Sequence, residues 1–312
     1  MLEGLKQSCK VRWMRKLALL VLFIVALALA GCAEKVEEVE KAISKEKAGI
    51  SISSPKDAMK SIPHVVDFVW LDVERMKKDE MLRERISALS PMNFGDFASY
   101  ISPEISVDTV EYVVGGDVIV NKYDLTAWFN IIRGNFDYEV IRDDLKAKGY
   151  QPRNYMGIET YSKGHYSPEK WNSEIWVSII DKNCIIYGGR TGVQEVIKVL
   201  KGEKVSEYDY VFKNETKRVI ERLSEESPRA YYVAYRGLTA YLRAHGAYGE
   251  ALSEEKIDNK LKRTLMIFGD ENLAKKWAEE KKKSYPDLKI KVEDRMVIAI
   301  DEWNPRERYP HI

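Results

Sequence analysis

Apolar residues recur along this chain with two periods, 3.6 and 2, and the points where one period gives way to the other mark its elements. Residues 72–89 carry the helical spacing, and Ser102-Pro103-Glu104 has the form of an N-cap followed by proline at the first helical position. Residues 109–114 and 118–120, around Gly115-Gly116-Asp117, predict a hairpin, with a further strand at 126–132. Past Gly134-Asn135 the period changes: Phe136, Val140, Ile141 and Leu145 share one helical face, and Lys148-Gly149 stops it. Residues 154–161, 174–180 and 184–187 read as strands, the last two joined by the tight-turn composition Asp181-Lys182-Asn183. A helix opens at Thr191, with Gln194 as the far corner of a capping box and Val193, Val196, Ile197 and Leu200 as its apolar face. Another runs through the charged residues 208–223.

The C-terminal part restates this order, with a strand at 265–268, a turn and cap at Gly269-Asp270, a helix at 271–283, and a hairpin of 288–292 with 296–300. The expected architecture is α+β, with antiparallel sheets, helices on one face, and a duplicated β-α-β-β (ferredoxin-like) unit. The first unit covers residues 59–205 and the second 206–312.

Ahead of these units, a basic stretch ending in Arg15 and Lys16 runs into 14 uncharged residues, Leu17 to Ala30. As a helix they span about 21 Å, short of the ~30 Å hydrocarbon core, which is signal-peptide anatomy rather than a membrane span. The signal reads equally well from Met14. Directly after it stands Leu29-Ala30-Gly31-Cys32, which resembles the lipobox of prokaryotic lipoproteins, bacterial or archaeal. That resemblance implies cleavage of residues 1–31 between Gly31 and Cys32. It further implies a diacylglycerol thioether on Cys32, an amide-linked fatty acid such as palmitate, and a chain held at the cell membrane facing outward. Residues 32–58, rich in Glu, Lys and Ser, read as a lipidated N-terminus with a short charged helix and a flexible tether.

Charge bears on the partner. Of 50 basic and 49 acidic residues, five and one fall in residues 1–31, leaving 45 basic against 48 acidic, so nucleic acid is disfavoured. Glutamine occurs only at positions 7, 151 and 194, while lysine and glutamate abound, a balance common in thermophiles.

Candidate chemistry is sparse. His64, His165, His245 and His311 are scattered, with no HExxH or CxxC spacing, so no metal or other cofactor is expected. Cys184 lies in an apolar strand and reads as a packed small hydrophobe. Ser53 to Lys56 and Ser167 to Lys170 are Ser-x-x-Lys pairs without the accompanying elements of penicillin-recognising enzymes. Gly188-Gly189-Arg190-Thr191-Gly192 joins a strand to a helix, where backbone amides suit an anion or a plain capped turn. Tyr150, Tyr155, Tyr161, Tyr166, Trp171 and Trp176 recur every five or six residues through an expected loop at 162–173 that also holds His165. Tyr155, Tyr161, His165, Tyr166 and Trp171 therefore form the candidate ligand surface, the alternative being that these rings fill or cover the core. Asn214-Glu215-Thr216 is a glycosylation sequon. With no catalytic constellation, the expectation is a non-enzymatic, lipid-anchored binding or scaffolding module for a small molecule, glycan or protein. A solute-binding lipoprotein of a transporter is second and an envelope hydrolase third.

Overall fold

The computed structural model describes residues 50–91, 94–118, 127–166, 172–206, 214–237, 247–293 and 295–304. They belong to one compact unit that begins at Ile50. The expected signal segment, Cys32 and the expected tether as far as residue 49 lie outside the described residues, as do residues 208–213 of the expected charged helix.

Among the described residues every strand pairing is antiparallel, and twelve strands share one sheet. Helix α1 (Pro55–Ser61) leads into β1 (Val65–Asp72), which is followed by three single helical turns, α2 (Val73–Met76), α3 (Glu80–Arg83) and α4 (Ile86–Leu89), and by α5 (Phe94–Tyr100). Strands β2 (Val110–Val118) and β3 (Trp128–Gly134) complete a meander. Helix α6 (Tyr138–Ala147) carries the chain to the far edge, and β4 (Gln151–Tyr155), β5 (Ile158–Tyr166), β6 (Asn172–Asp181) and β7 (Cys184–Gly189) step back to pair with β3. After α7 (Arg190–Leu200) and α8 (Asn214–Glu226), a second meander of β8 (Ala230–Arg236), β9 (Ala247–Ile257) and β10 (Lys260–Gly269) forms. Helix α9 (Glu271–Ser284) leads to β11 (Lys289–Glu293) and β12 (Met296–Trp303), and β12 returns to β10. The strand order is β11-β12-β10-β9-β8-β1-β2-β3-β7-β6-β5-β4, with β1 and β8 joining the two meanders at the centre.

Helices lie on both faces, where one was expected. Leu71, Val113, Ile132 and Ile185 pack with α2 to α6, while Phe68, Trp70, Val114, Ile131 and Ile186 pack with α1, α7 and α8. The cause is in the strands themselves, since all six residues of β7 are buried and each face needs cover. The two expected units, 59–205 and 206–312, are likewise halves of one sheet, because β1 pairs with β8 along five residues.

Other expectations meet specific physical limits. The helix at 72–89 breaks into single turns because Asp72 and Asp79 cap new starts, accepting from Arg75 N and Met81 N. Ser102-Pro103 makes a turn, with Ser102 Oγ accepting from Glu104 N at 3.1 Å and donating to Asp144 Oδ2 at 2.5 Å. Gly115 and Gly116 sit inside β2 rather than at a hairpin tip: a Cβ on Gly115 would lie 2.5 Å from Pro91 Cβ and 2.8 Å from Asn130 Oδ1. Helix α7 is capped at Gly189 without any side-chain bond, so the Thr191 to Gln194 box does not form.

The tether ends earlier than residue 58. Ile50 and Ile52 are buried, the Trp70 indole N–H donates to Ile52 O at 2.7 Å, and Ser54 caps α1. Apolar Ile50 and Ile52 carry this segment into the core despite its Ser-rich surroundings.

Candidate functional site

A groove of about 550 Å³ opens at one end of the central strands. Its floor is contributed by β1, β2, β3, β8 and β9, on the face shared with α2 to α6, and Pro91 forms a wall. The floor exists because Gly115 carries no side chain where neighbours would project, leaving Asn130 and Pro91 to close over the backbone.

A row of charged residues crosses this floor. Asp117 of β2 stands opposite Asp67 of β1, Asp67 opposite Arg236 of β8, and Arg236 opposite Glu250 of β9. Arg236 Nη1 reaches Glu250 Oε1 at 3.4 Å. Burial and the neighbouring Asp117 push the Asp67 carboxyl up to about 6, against the opposing pull of the Asp117 backbone N–H and Arg236. Burial also raises Asp117, offset by the hydrogen bond it accepts from Asp67. Below about 6 the pair therefore retains one proton on Asp67, and above it both carboxyls ionise. Val69, Trp128, Tyr232 and Leu252 line the groove around the row. The Trp128 ring meets Tyr187 edge-on at 5.2 Å, and burial pushes up the Tyr232 phenol.

None of these residues was singled out by sequence reasoning. Gly115-Gly116-Asp117 was the available signal, and its turn-like composition concealed a strand that needs glycine for close approach.

The aromatic series is dispersed. Tyr161 is 3% exposed, inside the core on the α6 face, and its hydroxyl donates to Glu159 Oε1 at 2.7 Å. For Tyr161 the core-filling alternative holds: the strand expected at 154–161 continues through Tyr166 as β5, and the ring points inward rather than onto a ligand surface. Tyr150 is buried on the same face. Tyr155 packs against the opposite core, edge-on to the buried Trp176 at 5.5 Å. Trp171 lies outside the described residues, as do the side chains of His165, Tyr166 and Asn214.

The remaining candidates are structural. Cys184 is buried, and burial drives its thiol far above its usual range, which suppresses the thiolate. Gly188 and Gly192 let β7 and α7 approach β3: a Cβ would stand 2.4 and 2.2 Å from Trp128 O. A second charged cluster is closed. Glu254, fully buried, accepts from Arg85 at 2.8 and 2.9 Å, from Arg263 Nε at 3.0 Å and from Tyr231 at 3.0 Å. Both guanidinium groups flank the Trp303 ring. Among the described residues no three His, Cys, Asp or Glu side chains gather as a metal site, and no helix is long and apolar enough to cross a membrane.

No protein-family model matches the chain, and no curated protein matches its sequence. Among solved structures it resembles crystal form I of TP0453 at 13% identity and a TM-score of 0.50, over 83% of this chain and 94% of that one. Crystal forms IV and III of TP0453 match at 12% and 13% identity, with TM-scores of 0.43 and 0.42, over 78% of this chain and 92% of each. The form I likeness is one of fold.

Proposed function

We propose that this chain is a lipid-anchored binding module, tethered outside the cytoplasmic membrane through Cys32, with the groove at the centre of its sheet as the binding site. The observation that carries the binding reading is the groove itself. Its volume of about 550 Å³ suits a small ligand, and apolar walls surround a few convergent polar groups. The anchoring half rests on Leu29-Ala30-Gly31-Cys32 and on the short distance in sequence, 18 residues, from Cys32 to the start of the folded unit at Ile50.

The two meanders, each followed by a helix to the sheet edge and returning strands, support a duplicated ancestral unit. In this reading the β-α-β-β pattern extends to three strands before the helix, and the first copy has gained two returning strands, β6 and β7. A transporter's solute-binding lipoprotein is less well supported, because such proteins close two α/β lobes on a hinge and the described strands form a single antiparallel sheet.

The test is a thermal-shift screen of the full chain against sugars, amino acids, peptides, amines and anions, because a ligand that prefers the native state raises its melting temperature. The binding reading predicts a concentration-dependent shift that Ala234→Phe, placed to fill the groove, abolishes. A shift that survives this substitution would move the site elsewhere.

A further inference from the structure

Asp67 and Asp117 stand directly opposite on neighbouring strands, an arrangement of like charges that destabilises a sheet pair. The one guanidinium in the row, Arg236, is already engaged with Glu250, so among the described residues lining the groove a single cation serves three carboxyl groups. The row carries one negative charge while the aspartates share their proton and two once both ionise. The Tyr232 and Tyr235 phenols also line the groove, and burial raises the Tyr232 phenol further from neutrality. Beside the pair, Asn130 is 4% exposed and lines the groove, and its side-chain amide makes no hydrogen bond among the described residues. An amide that opens onto the groove in this way is available to a ligand.

We propose that the groove takes a small organic cation, a primary ammonium on an apolar body, seated between the Asp67 and Asp117 carboxyl groups. This rests on the reading of the groove as the binding site and names its ligand class. An ammonium has three donors and no acceptor, and Asp67, Asp117 and Asn130 Oδ1 offer it three acceptors on adjoining strands. Val69, Trp128 and Leu252 receive the apolar body. Below about 6 the ammonium takes the place of the proton on Asp67, which leaves for solvent on binding, and above it the ammonium meets a carboxyl already ionised. Affinity therefore rises with pH as that proton becomes easier to lose. An anionic ligand meets an uncompensated carboxylate instead.

Titration calorimetry of the full chain in non-ionic detergent tests this, with 2-phenylethylamine as probe and 2-phenylethanol and 3-phenylpropanoate as neutral and anionic counterparts. At about pH 7.5 the amine should bind at least about tenfold more tightly than the alcohol, with no binding of the propanoate. At about pH 5 the amine should bind roughly tenfold more weakly, because ionising Asp67 then opposes its titration near 6. Asp67→Asn with Asp117→Asn should erase the preference for the amine while leaving the melting temperature unchanged or higher. Equal or tighter binding of the alcohol or the propanoate overturns the cation class and leaves the groove standing as a binding site. Failure of the amine to bind at about 10 mM also overturns the proposal, and the Ala234→Phe screen then decides separately whether the groove binds anything.

Discussion

Asp67 shows how much one residue's surroundings decide. Its carboxyl has a reference value of 3.8 and is pushed up to about 6 in the fold, so the folded state favours the protonated form. Stability from this group is fully present below 3.8 and is lost as pH rises through about 6. Above that the ionised pair costs on the order of 2 kcal/mol, after discounting for solvent in the groove. Asp67→Asn keeps a donor toward Asp117 and removes the charge. Thermal melts across pH should show the wild type losing stability relative to this variant between about pH 4 and 7, with Asp67→Asn the more stable above neutrality. A variant that is less stable at every pH would mean that the aspartate is held by attraction, not tolerated. Sequence patterns do not carry this kind of information. The partner of Asp67 is Asp117, 50 positions away, and only strand register brings the two together.

Elements were legible where one face is buried and caps are local. Helix α6 has Ile141 and Leu145 buried, begins at the Asp137 cap and ends before Gly149, whose φ is +84°, although Val140, expected on the same apolar face, is exposed. The α9 helix and its following hairpin also stand where periodicity and Asp270 predict them. Strand β1 was missed because its residues are buried toward both faces, which removes the alternation that marks a strand. β8 and β9 escaped for a different reason: β9 carries Glu254 and Glu255 into the interior, and buried acids read as surface. Their burial depends on Arg85, Arg263 and Lys262, which arrive from other elements. Glu254→Ala would leave two guanidinium groups short of their counter-ion and should cost about 3–5 kcal/mol in denaturant unfolding. Arg83→Ala, which breaks only the exposed pair with Asp108, should cost less than about 0.5 kcal/mol. Equal losses would show that the Glu254 cluster ties nothing together.

At the scale of the molecule, an antiparallel α+β composition was readable, whereas a single sheet was not, because the β1 to β8 pairing joins segments more than 150 residues apart. The same pairing builds the groove, since Asp67 comes from one meander and Arg236 and Glu250 from the other. A groove made by joining two halves has no local signature, whereas the proposed N-terminal address lies in four consecutive residues, Leu29 to Cys32. The proposed function joins the two: a sheet that presents a groove, with lipid on Cys32 as its proposed anchor at a membrane surface. The most direct measurement is the intact mass of the full-length product recovered from the membranes of a lipoprotein-processing host, beside Cys32→Ser. The account predicts a chain beginning at Cys32 and carrying the added mass of a diacylglyceryl group, which the serine variant lacks. A membrane-bound product that retains residues 1–31 and carries no added mass would contradict it.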